Sequence, residues 1–244
     1  MEPLDNLATL HIEEERLRGV HLEQIANDEA LRDHIYLIRE AMNILWALAH
    51  DHTNKTDDEL VMQFLGIRLF NASAASIKLA HSGYYQQAFS ALRDFLETFF
   101  LVDYLVSFPD KIQQWKTADE RKLRSEFGPA AVRAALDARD GFVEKKRKKL
   151  YDLISHYATH ATPAGFGMVI KDDLGEIGPF YRPEMFTAWM QEAVKMICNS
   201  GVVFGRHFQD VDLKILGTKA KYIADLNNWR RKHLERPSGE LLND

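Results

Sequence analysis

From Tyr84 to Phe108 apolar side chains spread over most of a helical surface: Phe89, Leu92, Phe95, Leu96, Phe99, Phe100 and Leu105. A helix that is apolar on nearly every side must be buried, either inside a protein core or in lipid. Arg93, Asp94, Glu97 and Asp103 interrupt the stretch, and charges are costly in hydrocarbon. The segment therefore predicts the central helix of a helical bundle, closed by Pro109, which lacks the backbone donor that a helix interior needs.

The rest of the chain fits around such a helix. Leu4, Leu7, Leu10, Leu17 and Ile25 mark a weak amphipathic first segment. Leu31, Ile35, Ile38, Met42, Leu45 and Leu48 form a stronger stripe with helical spacing. Thr56 to Glu59 reads as a capping box before Leu60, Phe64, Ile67, Ala75 and Leu79, with Ser82-Gly83 as the stop. A second capping box is expected at Thr117 to Glu120. A long helix is expected from about Ala130 to His160, split near Gly141. Thr162 to Pro183 is rich in glycine and proline, and Met168-Val169-Ile170 can pair with Glu176-Ile177 as a small hairpin. Phe166, Met168, Ile170 and Phe180 are expected to be buried there. Pro183 opens a helix toward Phe208, and a last helix covers about Val211 to Leu234, with Gly217 a candidate break. The tail from Gly239 should fray.

The expectation is thus an all-α, multi-helix bundle of about seven to eight helices, with an irregular or hairpin excursion near 162–183. Residues 1–240 read as a single helical domain, with 1–27 as a peripheral helix. Thirty-six acids against thirty-one bases give a net charge of −5, which disfavours a general nucleic-acid binder. Cys198 is the only cysteine, which excludes an intrachain disulfide and a cysteine-rich zinc site. It lies on an apolar helix and reads as buried and inert. Met1 to Asp5 lacks the features of a secretory signal. The expected location is cytoplasmic, with no membrane partner.

Three groups of residues could carry chemistry. Asp152, His156 and His160 stand four residues apart, so on a continuous helix they share a face and could hold a divalent metal. Tyr157 stands where a zinc peptidase needs a glutamate. Otherwise no cofactor is expected. Arg93 and Glu97 lie one turn apart on the apolar helix; if buried, each must be compensated. Placed beside Asp152, Ser155 and His156 they would form a polar network that is either catalytic or specifies packing. Lys145, Lys146, Arg147, Lys148 and Lys149 form a run of five cations, either a solvated face or a phosphate-attracting patch. His50-Asp51-His52 reads as a polar loop.

Ala91 to Glu97, followed by Tyr151 to Ser155 and by His160, resembles a set of uncharacterised bacterial helical proteins. Their pattern is an Arg-x-x-x-Glu helix, then a Tyr-x-x-x-Ser helix with a nearby histidine. Arg93, Glu97, Tyr151, Ser155 and His160 are the matching positions, and the likeness covers about Gly66 to Pro163. These proteins are similar in outline to the HEPN superfamily of helical bundles. That resemblance implies a setting in bacterial toxin–antitoxin or phage-defence systems, and for some members metal-independent RNA cleavage by an Arg separated by four to six residues from a His. Here only Arg16 and His21 meet that spacing, on the first helix. A surviving active site would instead use Arg93, Glu97, Ser155, His156 and His160.

Three functional readings follow. The first is a non-catalytic helical protein that binds a protein partner or itself as a homo-oligomer, with Trp115 and Tyr181 as exposed interface aromatics. The second is a divergent HEPN-like ribonuclease, with RNA as partner and His156 or His160 as general acid or base. The third is a hydrolase dependent on a divalent metal held by Asp152, His156 and His160.

Overall fold

The computed structural model describes residues 6–171 and 173–235. Leu4, counted in the first stripe, and the tail from Gly239 lie outside the described residues. Helix α1 (Asn6–Asn27) leads into α2 (Glu29–Trp46), whose first turn is capped by Asp28 accepting from the Leu31 amide at 3.0 Å. A wide π turn (Ala47–Asp51) follows α2 and contains His50. Helix α3 (Asp57–His81) begins at the expected cap, with the Thr56 hydroxyl accepting from the Glu59 amide at 3.1 Å. The Glu59 carboxylate reaches back to the Lys55 amide rather than that of Thr56, so the reciprocal half of the box is displaced by one residue.

Gly83, at φ 85°, turns the chain sharply after α3; a Cβ there would lie 2.7 Å from both Leu17 Cδ1 and the Phe180 carbonyl oxygen. Helix α4 (Tyr85–Ser107) then runs back along α3. Ser76 Oγ donates to the Ala88 carbonyl at 2.8 Å and Arg68 Nε to Thr98 Oγ1 at 3.0 Å, which fixes the antiparallel register. Helix α9 (Pro183–His207) packs on α2 and α4, and its Trp189 donates to Ser76 Oγ at 3.0 Å. Ile38, Ile44, Leu92, Phe95, Phe186 and Trp189 are all fully buried where α2, α3, α4 and α9 meet. The expectation that the Phe95 helix is central holds.

Helix α10 (Leu213–His233) is capped by Asp212 and runs unbroken through Gly217. Its basic end ties it to α2: Lys232 lies 2.6 Å and His233 2.9 Å from Asp33. Between α4 and α9 the chain forms four short helices: α5 (Lys111–Lys116), α6 (Glu120–Glu126), α7 (Pro129–Arg139) and α8 (Lys146–Ile154). A second π turn (Ser155–Thr159) continues α8. Thr117 is not a helix N-cap. It ends α5, donating to the Gln113 carbonyl at 2.8 Å, while Asp119 caps α6. The long helix expected from 130 to 160 is two, parted by Gly141 at φ 67° and by Lys145 at φ 51°. These breaks raise the count to ten α-helices among the described residues, against seven to eight expected.

The excursion contains a 3₁₀ turn (Pro163–Met168) and a hairpin of β1 (Ile170–Lys171) with β2 (Leu174–Gly175), paired antiparallel with Ile170 opposite Gly175. Phe180 is buried and Met168 packs on the core, but Phe166 is 62% and Ile170 37% exposed, contrary to expectation. Among the described residues one helix, α3, is long and apolar enough by length and composition to cross a membrane; 50% of its most apolar window is buried inside the bundle.

Candidate functional site

Gln86, Ser90, Arg93 and Glu97 recur at spacings of four, three and four and form one polar stripe along α4. That stripe faces α8 and its π turn. Gln86 Nε2 donates to the Tyr157 carbonyl at 3.4 Å and Ser90 Oγ to the Ala158 carbonyl at 2.8 Å. Arg93 Nε donates to Ser155 Oγ at 2.9 Å, and Arg93 Nη2 to Glu97 Oε1 at 3.1 Å. Nη2 also meets the Tyr151 hydroxyl, which donates to Glu97 Oε1 at 2.7 Å. The Tyr151 ring is held between two guanidiniums, Arg93 at 4.6 Å and Arg133 of α7 at 3.9 Å from its centroid.

The local reason for this seam lies in the π turn. Its wide winding, closed by His160 N–H to the Ser155 carbonyl at 2.9 Å, turns peptide carbonyls outward toward α4. Polar side chains on α4 satisfy them. Arg93, Glu97 and Ser155 therefore come together as expected, and Tyr151 joins them. Arg93 gives its donors to Ser155, Glu97 and Tyr151, so the network is closed on itself.

His156 and His160 do not join the network. His156 is exposed and meets only the edge of its neighbour Tyr157, ring to ring at 5.2 Å. His160 is exposed and has left the helix, with φ −91° and ψ 142°. Spacing by four implies a common face only while the winding stays α-helical, and here it widens and then ends. Asp152 is exposed and pairs with Lys148. The metal set Asp152, His156 and His160 is thus not assembled, and among the described residues no three His, Cys, Asp or Glu side chains are grouped to hold an ion.

The basic run is also divided. Arg147 turns inward to Asp137 at 2.9 Å and to Asp140, with Asp103 at 3.9 Å. Arg139 joins the same acids, 2.7 Å from Asp103. Hydrogen bonds from Arg139 hold the Asp140 carboxyl down at about 2 against the opposing effect of burial, with Arg147 adding to the lowering. Lys148 pairs with Asp152, Lys149 lies 3.8 Å from Glu144, and Lys146 sits over the Phe142 ring. Arg147 is therefore a structural cation, not part of a phosphate-attracting patch.

Arg16 and His21 point apart: Arg16 is exposed and pairs with Glu13 at 2.6 Å, while His21 is fully buried. His21 belongs to a buried cluster missed in the sequence. Its Nδ1 lies 2.9 Å from the His81 carbonyl and its Nε2 2.9 Å from the Tyr85 hydroxyl. Because the Arg182 amide donates to that hydroxyl at 2.9 Å, Tyr85 is left to donate to Nε2, and His21 carries its proton on Nδ1. Burial depresses the pKa of His21 and pushes that of His81 down to about 4. His34, which accepts from Trp229 Nε1 at 3.0 Å, is likewise lowered to about 4, chiefly by burial. The signal was available: His21 sits midway between Leu17 and Ile25, at i+4 on the buried stripe. Cys198 is buried, and burial pushes its thiol up to about 12. His50 stacks on Trp46 at 4.6 Å, and His52 is buried 3.4 Å from Glu59.

No known protein family, no characterised protein sequence and no solved structure matches this chain.

Proposed function

We propose that the chain acts as a self-associating helical protein, docking a second copy of itself across the outer face of α3. The observation that carries this reading is a row of large apolar side chains left uncovered on α3, 50% of whose most apolar window is buried. Leu60, Phe64 and Ile67 line its outer face and are 36%, 64% and 41% exposed. Contiguous exposed apolar patches mark interaction sites. The strip continues through Phe70 to Trp46, whose rings meet at 5.5 Å, and into a groove of about 580 Å³ between α2 and α3, walled by Ile35, Met42, Phe70 and Ile77.

A second copy fits the strip because the strip is self-complementary. Asp57 and Arg68 lie on the same edge of α3, on opposite sides of Phe64 along the axis. In a two-fold antiparallel pair centred on Phe64, Asp57 of one copy falls within a turn of the other copy's Arg68. Unlike charges, each also paired within its own copy (Asp57 with Lys116, Arg68 with Asp94), would then flank a core of two phenylalanines. The aromatics expected at the interface, Trp115 and Tyr181, are both half-buried. Trp115 packs on the core, and the Tyr181 ring meets that of His21 at 5.4 Å, tilted by 58°. Phe64 and Trp46 take their place as anchors.

Sedimentation equilibrium of the full chain tests this. The wild type should form a dimer, Phe64→Glu should be a monomer with unchanged circular dichroism, and His156→Ala with His160→Ala should remain dimeric. A monomeric wild type, or a dimer indifferent to Phe64→Glu, would remove the reading.

A further inference from the structure

Three of the 22 residues of α1 are buried, Leu17, His21 and Ile25, so this long helix is held by a narrow stripe with a histidine at its centre. Burying a polar ring is costly unless its nitrogens are satisfied. His21 meets that condition only when neutral. Its Nδ1 donates to the His81 carbonyl, and its Nε2 accepts from the Tyr85 hydroxyl, whose oxygen also takes the Arg182 amide. A proton on Nε2 would face the Tyr85 hydroxyl hydrogen across 2.9 Å, and among the described residues no carboxylate hydrogen-bonds to the ring.

The neighbours make a cation there less favourable still. The His81 ring of α3 lies 6.4 Å away and is 8% exposed, with its Nε2 buried and unpartnered. The side-chain charges acting on His81, besides His21, are those of Arg18 on α1 and Lys78 on α3, both cations. Helix α4 presents Tyr85, and the excursion presents Tyr181, ring to ring with His21 at 5.4 Å. Helix α9 presents Phe186 at 4.3 Å from the His21 ring and Trp189 at 6.5 Å from that of His81. Glu184, at the start of α9, is engaged by Arg182 at 3.0 Å, and Glu15 of α1 by Lys78 at 2.8 Å. Residues 178–182 rest on the same helix. A Cβ at Gly178 would come 2.9 Å from Leu10 Cδ2, and the Tyr181 hydroxyl donates to Gln24 Oε1 at 3.3 Å.

We infer that α1 is an acid-released arm: protonation of His21 and His81 detaches α1, with residues 178–182 that rest on it, while α2, α3, α4 and α9 stay packed. Detachment gives both rings water and room for a second proton, and it uncovers the Tyr85 and Phe186 rings beneath. The Glu15–Lys78 pair that also ties α1 down is exposed and contributes little. The four inner helices are held instead by fully buried apolar side chains, among them Ile38, Ile44, Leu92 and Phe95. The inference goes beyond self-association and does not depend on it.

Hydrogen exchange of the full chain, read by mass spectrometry and corrected for the intrinsic rate at each pH, tests it. A free histidine titrates at 6.5, whereas burial lowers both rings, His81 to about 4. Each histidine that detachment frees should therefore raise the opening of α1 about 25-fold between pH 7 and pH 5, and the two together about 600-fold. Arg16, His11 and Lys78 hold the carboxyls of Glu13, Glu14 and Glu15 below their ordinary range, so these stay charged throughout. His21→Gln keeps a donor and an acceptor without titrating, and should cut the rise to about 25-fold. Adding His81→Leu should abolish it. At pH 5 the amides of α2 and α9 should remain protected about a hundredfold better than those of α1. If circular dichroism shows His21→Gln unfolded, His81→Leu alone should give the same reduction. A rise in the wild type below about tenfold overturns the inference. So does exchange of α1 and α9 in step at pH 5, or a rise that survives the double substitution.

Discussion

Replacing Arg93 with methionine isolates what the polar seam between α4 and α8 contributes. The change removes the donors to Ser155 Oγ at 2.9 Å and to Glu97 Oε1 at 3.1 Å, and the contact with Tyr151. Ser155 is 4% exposed, so its hydroxyl loses a partner that water cannot replace, at a cost of about 1–3 kcal/mol. The Arg93 and Glu97 side chains are 21% and 25% exposed, so solvent screens their ion pair and its loss adds only about 0.5–1 kcal/mol. Glu97 keeps the Tyr151 hydroxyl at 2.7 Å, which limits the penalty for its stranded charge. Methionine recovers most of the apolar contact with the Tyr151 ring. The total is about 1.5–4 kcal/mol, which for a chain of this length lowers Tm by about 3–16 °C. Urea unfolding followed by circular dichroism, with calorimetry alongside, measures it. Adding Glu97→Met should cost less than the sum of the two single changes, by about 1 kcal/mol or more, because no carboxylate is then left without its cation. A loss below about 1 kcal/mol for Arg93→Met, or strict additivity in the double variant, would refute the view that the seam holds α8 in place.

Acidification tests the buried histidines. His81 and His34 have folded pKa values near 4 against 6.5 when free. Between those limits the unfolded chain takes up the proton first, so stability must fall as pH drops from 6.5 to about 4. The fall is on the order of 3 kcal/mol for His81, and His81→Leu should flatten the profile of urea midpoints against pH; a midpoint that rises over that interval would contradict the buried neutral assignment. Two glycine substitutions should move stability in opposite directions. A Cβ at Gly66 would lie 2.3 Å from Phe204 Cζ, so Gly66→Ala should lose about 1–3 kcal/mol. A Cβ at Gly19 meets nothing within 4 Å, so Gly19→Ala in exposed mid-helix should gain about 0.5–1 kcal/mol. Thermal scans of the two variants decide both, and equal shifts of one sign would show the α3–α9 approach to be looser than described.

The amino-acid pattern alone was enough for the helical class, for the burial of the Phe95 helix, for the turns at Gly83 and Gly141, for the cap at Thr56 and for the helix start at Pro183. Each depends on a few neighbouring residues and on periodicity, which are local properties of the chain. The meeting of Arg93 and Glu97 with Ser155 was legible too, because charges on an apolar helix have to be compensated by something packed against it. What the pattern could not show was where the winding departs from 3.6 residues per turn. The π turn at Ser155–Thr159 removes His156 and His160 from the face that spacing by four had assigned them. Its carbonyls are satisfied by Gln86 and Ser90, about seventy residues earlier in the chain, which no local reading could find. The division of the basic run has the same origin. Arg147, inside α8, reaches Asp137 and Asp140 of the neighbouring segment, whereas Lys145, the left-handed residue before the helix, does not, and only the tertiary contact makes that division.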